Sequence, residues 1–178
     1  MKQKFIDLYK DWALRVAQLS YANRLKVGAV IVKDDTVISY GYNGMPAGWD
    51  NTCEEKEYMS IDAGGWLSPP EIYQRWPLEE KTNSGELLGR YKLKTKPEVL
   101  HAESNAIAKL AKSNNSGFGA DLFVTHSPCI ECAKLIYQSG IKNVYYLENY
   151  RNNNGIEFLI KSGINVISLK ESKNDQKK

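Results

Sequence analysis

Both histidines of the chain and two of its three cysteines lie in two short stretches, VLHAESNAIAKL and HSPCIECAKLI. His101 belongs to the first stretch, and Cys129 and Cys132 form a C-x-x-C pair in the second. One imidazole and two thiolates are ligands that catalytic zinc sites use, with a fourth position left for water. These residue types therefore suggest hydrolysis by a metal-activated water at one zinc ion.

Each stretch reads as the beginning of a helix. A spacing of three residues places both sulfurs on one face of a helix, and Pro128 suits a helix start. The positive end of the helix dipole also favours thiolates. Glu103 follows His101 by two residues, so both side chains reach one pocket only if a helix begins there. A carboxylate beside a metal-activated water can act as a general acid and base.

A structural zinc site is the alternative interpretation of the same residues. His126 extends the second stretch to His-x-x-Cys-x-x-Cys, and Cys53 could supply a closing fourth ligand. H-x-E or C-x-x-C alone is a weak signal, whereas the two together in this order are a strong one. We expect His126 to face the pocket rim or a gap in the core, and Cys53 to be a small buried residue.

Composition narrows the class of protein. A chain of 178 residues suits one domain with a single core. The net charge of +3 comes from scattered basic residues, which does not favour nucleic-acid binding. The chain has neither an apolar run of roughly 20 residues for a membrane span nor the apolar core of a secretory signal. We therefore expect a cytoplasmic protein with reduced thiols, without a membrane partner.

The periodic patterns predict an α/β fold. They indicate a first helix at about residues 2–20, then an antiparallel hairpin around KDD. After the helix that starts at HAE come strand, helix, strand, helix and strand, in ADLFVTH, CIECAKLIYQSG, NVYYL, NGIEFLIKSG and INVISL. Alternating strands and helices imply parallel strands joined by right-handed crossovers. The predicted architecture is a three-layer α/β/α sandwich with about five mixed strands.

One domain is expected over residues 1–170, with a flexible tail over 171–178 that has no apolar residue to bury. The stretch at about 53–99 has many turn formers, aromatic residues and charges without a sustained period, so we interpret it as a long insertion or flap. Its residues Trp66, Tyr73 and Trp76 could form a small aromatic cluster.

Three segments together resemble deoxycytidylate (dCMP) deaminases, particularly those of large bacteriophages: LKVGAVIVKDDTVISYGYNGMPAG, HAESNAIAKL and SPCIECAKLIYQSGIKNVYYLENY. H-x-E with P-C-x-x-C is the signature of zinc-dependent nucleobase deaminases. The resemblance runs from about Val27 to Val166. It implies a cytidine-deaminase-like fold, one zinc per subunit, and hydrolysis of dCMP to ammonia and dUMP, the precursor for thymidylate synthesis. A phage-encoded protein would work in the host cytoplasm.

The resemblance also implies roles for individual residues. His101, Cys129 and Cys132 would bind zinc, and Glu103 would pass protons to N3 of the pyrimidine and to the leaving amine. The substrate-binding residues would be Arg24, Asn43, Ala102, Ser127 and Tyr150. Three of these have simpler interpretations: Asn43 as a turn residue, Arg24 as an exposed cation and Tyr150 as a packing residue.

Regulation and assembly are implied by the resemblance alone. Members of the family are commonly homohexamers activated by dCTP, with Mg²⁺ accompanying the triphosphate, and inhibited by dTTP. The glycine-rich segment would bind nucleotide at Gly41, Tyr42, Asn43 and Gly44, with backbone donors near its glycines. Alternatively, these glycines only permit a tight turn, or the segment binds substrate alone.

A second, structural zinc, which some phage members carry, is not expected in this chain. Asn23 stands near the position of a cysteine ligand, and no histidine lies between Cys53 and Leu100.

Three competing functions remain. A tRNA adenosine deaminase would share the zinc signature but needs a basic groove. A free (deoxy)cytidine deaminase would differ only in its substrate. A non-catalytic binding module stabilised by zinc would tolerate replacement of Glu103.

Overall fold

The computed structural model describes residues 1–58 and 78–170 of the chain. Its helices are α1 (Gln3–Ala17), α2 (Ala102–Ala111), α3 (Ile130–Gln138) and α4 (Asn154–Lys161). Its strands are β1 (Gly28–Lys33), β2 (Thr36–Tyr42), β3 (Glu54–Tyr58), β4 (Leu78–Lys81), β5 (Leu87–Thr95), β6 (Asp121–His126), β7 (Asn143–Glu148) and β8 (Asn165–Ser168). No helix in these two ranges has the length and apolar composition needed to cross a bilayer.

The main sheet has five strands in the order β2-β1-β6-β7-β8. Strand β1 runs antiparallel to both β2 and β6, whereas β6, β7 and β8 are parallel to one another. The helices between the parallel strands are the crossovers that this arrangement requires. This sheet confirms the predicted mixed α/β fold with about five strands.

Helices cover both faces of the main sheet. Strand β1 lies between β2 and β6, and its alternate residues point to opposite faces, as in any strand. Val30 and Val32 pack with Tyr9 and Ala13 of α1 on one face. The opposite face packs against α2, α3 and α4, through a cluster that includes Ala29, Ile31, Ala106, Ile136 and Leu159. The sandwich of one helix, a sheet and three helices confirms the predicted three layers.

The hairpin between β1 and β2 turns at two aspartates. Asp34 and Asp35 have φ angles of 48° and 57°, the left-handed region that short hairpin turns need at both central positions. The hydroxyl of Tyr9 donates a hydrogen bond of 2.8 Å to the backbone oxygen of Asp35. The acidic hairpin turn predicted from KDD is therefore present and is tied to helix α1.

A second antiparallel sheet occupies the described part of the stretch at 53–99. Its strand order is β3-β5-β4. Exposed ion pairs cross between β3 and β5, with Lys94 3.1 Å from Glu55 and Lys92 3.3 Å from Glu57. These strands were not predicted from the sequence: β3 and β4 consist mostly of charged residues, and the short alternation of Arg90, Lys92 and Lys94 with Tyr91 and Leu93 in β5 was missed.

Two earlier predictions fall outside the described residues. The aromatic cluster of Trp66, Tyr73 and Trp76 lies within 59–77, and the tail covers 171–178. The single domain over residues 1–170 also stays a prediction.

Candidate active site

A pocket of about 440 Å³ opens where the parallel strands β6 and β7 end. Ligand sites of open α/β sheets lie at the carboxyl ends of strands. His126 and Ser127 line the pocket from the end of β6, and Tyr150 lines it from the segment after β7. The first turns of α2 and α3 complete its floor with His101, Ala102, Glu103 and Cys129.

The three predicted zinc ligands meet at this pocket. The Nδ1 atom of His101 lies 3.5 Å from Sγ of Cys129 and 3.3 Å from Sγ of Cys132. All three ligand atoms lie within 4.8 Å of one another. Zinc bonds of ordinary length in a tetrahedral site separate nitrogen from sulfur by roughly 3.6 Å. The spacing and the donor types therefore fit one zinc ion.

Local backbone structure explains how these side chains converge. His101 is the N-cap residue of α2 and Cys129 is the N-cap residue of α3, and both have extended backbone angles. An N-cap side chain lies over the first turn of its helix, so Cys129 comes close to Cys132, three residues later. The positive ends of two helix dipoles face the pocket and favour anionic ligands there.

The two thiols have very different pKa values. The Cys132 thiol donates to Cys129, and together with His101 this lowers the pKa of Cys129 to about 3. The same hydrogen bond, with burial, raises the pKa of Cys132. Metal binding to both sulfurs therefore has to release the Cys132 proton, as is general for thiolate sites.

Glu103 is the buried carboxyl group of the site. It lies in the first turn of α2, and only 4% of it is exposed. Burial raises its pKa, while its own backbone N–H and the Cys132 thiol favour the charged form. A carboxyl group with a raised pKa holds a proton more readily than a free one, which suits a general acid and base.

Two glycines allow the backbone to assemble this site. A Cβ atom on Gly41 of β2 would lie 2.2 Å from the backbone oxygen of Ala102, so Gly41 lets the first turn of α2 sit directly on the sheet. A Cβ atom on Gly155 of α4 would lie 2.0 Å from the backbone oxygen of Pro128. Both glycines therefore position ligand-bearing helix starts, although neither contributes a side chain.

All five predicted substrate residues line the same pocket: Arg24, Asn43, Ala102, Ser127 and Tyr150. The amide of Asn43 already binds the backbone, because Oδ1 accepts from the N–H of Val27 at 2.7 Å and Nδ2 donates to Leu25 at 2.8 Å. One N–H and one lone pair of this amide remain for a ligand. The side chain thus acts at least as a brace for the segment around Leu25.

Ser127 and Tyr150 are coupled to each other. The Ser127 hydroxyl accepts a hydrogen bond of 2.7 Å from the backbone N–H of Tyr150. The guanidinium of Arg151 lies 5.6 Å from the centre of the Tyr150 ring. The hydroxyl of Ser127 therefore helps to fix an aromatic ring and a cation at the pocket wall.

The glycine-rich segment at residues 41–44 is tied into the fold through its backbone. The N–H of Asn43 donates to Val27 and that of Gly44 donates to Leu100, both at 3.1 Å. Gly41 is buried beneath α2. The N–H groups of Asn43 and Gly44 are therefore used within the fold, and nucleotide binding at Gly41, Tyr42, Asn43 and Gly44 stays a prediction. Tyr42, the fourth residue of the segment, is partly exposed, and its backbone oxygen accepts from Asn105.

His126 and Cys53 lie apart from the metal ligands. His126 lines the pocket, with Nδ1 3.2 Å from the Thr125 hydroxyl. Cys53 is 1% exposed and packs with Ala22 and Val99. Among the described residues, the group with metal-ligand geometry contains neither of them.

Several residues of the pocket wall were missed from sequence, among them Arg151, Glu54 and Thr95. Arg151 directly follows Tyr150, so its position beside a candidate site residue was the available signal. Glu54 and Thr95 come from β3 and β5. They carry no comparable signal, because they reach the pocket only through the second sheet.

Comparison with known proteins agrees with this fold and site. The chain belongs to the cytidine and deoxycytidylate deaminase family, whose zinc-binding region matches residues 3–148.

The deoxycytidylate deaminase of Enterobacteria phage T4 is 36% identical over 170 residues, covering 88% of this chain and 86% of the phage protein. The human deoxycytidylate deaminase is 34% identical over 151 residues, covering 80% of this chain and 68% of its own. A crystal structure of the dCMP deaminase from cyanophage S-TIM5, in complex with dCMP and dUMP, superposes with a TM-score of 0.71 at 35% identity. That match covers 95% of this chain and 99% of the cyanophage chain.

Proposed function

We propose that the protein hydrolyses dCMP to dUMP and ammonia in this pocket. The observation that carries the proposal is the buried Glu103 beside the His101, Cys129 and Cys132 group. Similarity to phage deoxycytidylate deaminases over most of the chain supports dCMP as the substrate.

The chemistry follows from the position of Glu103. Zinc, when bound by the three ligands, acts as a Lewis acid that makes a bound water more acidic. The Glu103 carboxylate accepts the first water proton and gives it to N3 of the pyrimidine. After the water oxygen has bonded to C4, Glu103 moves the second proton to the amino nitrogen. The bond from C4 to this nitrogen then breaks, ammonia leaves, and N3 keeps its proton.

Two cations at the pocket favour a monophosphate over a free nucleoside. Arg24 and Arg151 both line the wall, and a guanidinium pairs well with phosphate oxygens. The Tyr150 ring, fixed through Ser127, offers a surface for stacking the base.

Regulation and assembly belong to the same proposal. The resemblance to phage deoxycytidylate deaminases supports a homohexamer that dCTP with Mg²⁺ activates and dTTP inhibits, and a role in supplying dUMP for thymidylate synthesis. Effectors of this kind act by binding two states of an assembly differently. Because the backbone of Asn43 and Gly44 is used within the fold, side chains such as that of Tyr42 would have to contact an effector. The need for reduced Cys129 and Cys132 favours a cytoplasmic location.

A substrate panel tests the proposed activity. Zinc-loaded protein is incubated with dCMP, deoxycytidine, CMP and an adenosine-containing tRNA, and deamination is followed by ultraviolet absorbance. We expect kcat/KM to be highest for dCMP. Equal turnover of deoxycytidine would indicate a nucleoside deaminase, and turnover of the tRNA alone would indicate a tRNA adenosine deaminase. No turnover of any substrate would indicate a zinc-stabilised binding module.

A further inference from the structure

The second sheet contributes one matched pair of residues to the pocket wall. Glu54 of β3 and Thr95 of β5 are direct partners in the antiparallel ladder, and both line the pocket. Directly opposite residues carry their side chains about 4.5–5.5 Å apart on the same face. The end of this sheet therefore presents a carboxylate and a hydroxyl side by side at the pocket.

Both members of the pair bind Arg24. The Oε1 atom of Glu54 accepts hydrogen bonds from the backbone N–H groups of Asn23, at 3.0 Å, and Arg24, at 3.1 Å. The guanidinium Nη1 of Arg24 donates to the Thr95 hydroxyl at 3.1 Å. One ladder pair thus fixes the backbone and the charged end of the same arginine.

Glu54 lies in a buried and well-packed part of the protein. Glu54 is 5% exposed, and a carboxylate is buried at such a cost only when hydrogen bonds compensate it. The next backbone bond along the ladder joins the N–H of Lys96 to the oxygen of Cys53 at 3.0 Å. Cys53, Ala22 and Val99 pack beside it as a buried cluster.

We infer that Glu54 and Thr95 are positioning residues that hold Arg24 ready for the phosphate of the substrate, and so set the preference for a monophosphate over a nucleoside. The inference rests on the proposed function. An arginine that is held before binding loses less rotamer freedom on binding, and an anchored backbone keeps its guanidinium within reach of the pocket. Through Glu54 and Thr95, the second sheet thereby contributes to the choice between a nucleoside monophosphate and a nucleoside.

Equilibrium binding tests this inference without depending on turnover. Calorimetry measures the affinities of zinc-loaded wild type, Glu54→Asp and Thr95→Val for dUMP and for deoxyuridine. Aspartate keeps the charge but shortens the reach to the two N–H groups, whereas valine removes only the hydroxyl. We expect each substitution to weaken dUMP binding roughly three- to tenfold and to change deoxyuridine binding less than about twofold.

Matched controls separate positioning from general damage. Glu55→Asp alters the neighbouring exposed carboxylate, which pairs with Lys94, and Thr36→Val removes an exposed hydroxyl of β2. Neither control should change the ratio of the two affinities. The double variant Arg24→Ala with Thr95→Val should bind dUMP no more weakly than Arg24→Ala alone, because Thr95 acts through Arg24.

Several results would overturn the inference. These are equal losses for dUMP and deoxyuridine, fully additive losses in the double variant, and a wild type that binds both ligands equally. A protein that shows the expected dUMP losses but deaminates no dCMP would support the positioning of Arg24 and contradict the proposed function.

Discussion

The Nδ1 atom of His101 faces the Sγ atom of Cys132 at 3.3 Å, although the two residues are 31 positions apart in the chain. They come from the starts of α2 and α3, which pack on the same face of the sheet. A metal ion that bridges them links two helices of the core. Because the unfolded chain does not hold this geometry, metal binding should stabilise the folded state.

Zinc content and zinc removal give the first prediction. The protein should contain about one equivalent of zinc, and removal by a chelator should lower the melting temperature and abolish activity. Cys132→Ser should lose zinc, whereas Cys53→Ser should keep it, because Cys53 lies outside the ligand group. Metal analysis and thermal melts check this. Two equivalents after thorough dialysis, or zinc loss in Cys53→Ser, would contradict the assigned site.

The close packing of Gly41 gives the second prediction. Gly41→Ala places a methyl group against the backbone of Ala102, so we expect a loss of about 1–3 kcal/mol in the free energy of unfolding and weaker zinc retention. Gly44→Ala is the matched control, since its Cβ atom would meet nothing closer than 4.0 Å. Urea unfolding of the zinc-loaded proteins compares the two. Equal stability of both variants would show that α2 does not depend on Gly41.

The hairpin turn gives the third prediction. Asp35 has a φ of 57°, which glycine adopts without strain. Asp35→Gly should therefore raise the free energy of unfolding by about 0.5–1 kcal/mol, while Asp35→Ala should not raise it. The hydrogen bond from Tyr9 is kept in both variants, because it ends on the backbone oxygen. Urea unfolding measures both, and a destabilised Asp35→Gly would refute the argument.

Effector kinetics give the fourth prediction. If the protein is a hexamer with two states, velocity should depend sigmoidally on dCMP, become nearly hyperbolic with dCTP and Mg²⁺, and fall with dTTP. Coupling between effector and substrate sites is typically about 1–3 kcal/mol, so half-saturation should shift by roughly 5- to 150-fold. Hyperbolic kinetics unaffected by either triphosphate, in protein shown by sizing to be hexameric, would remove the regulatory proposal and leave the catalytic one.

The fold was predictable where burial leaves a pattern in the sequence. Val30 and Val32 alternate with Ala29 and Ile31 in a strand that is covered on both faces, so an apolar run marked it. Strand β5 belongs to the second sheet, and its exposed Arg90, Lys92 and Lys94 alternate with Tyr91 and Leu93, which are only partly buried. Its charges pair across strands after the sheet has formed, and that pairing has no local sequence signal.

The candidate site was predictable where chemistry restricts the residue type. Zinc accepts few side chains, so histidine and cysteine at helix starts could be recognised from the sequence. Hydrogen-bonding residues carry less information. Asn43 was expected to contact substrate, and its amide also braces the backbone of Leu25 and Val27. Glu54 and Thr95 depend on a strand pairing that the sequence analysis did not predict.

The most direct test of hydrolytic deamination in this pocket is the turnover of dCMP by zinc-loaded Glu103→Gln, with the zinc content measured in the same sample. Glu131→Gln, an exposed glutamate in the first turn of α3, is the matched control. We predict that Glu103→Gln keeps one zinc and its fold while kcat falls by roughly two to four orders of magnitude, the usual range for losing a general acid and base. Near-normal turnover with zinc retained would contradict the catalytic assignment of Glu103, and loss of zinc would show that Glu103 is a ligand.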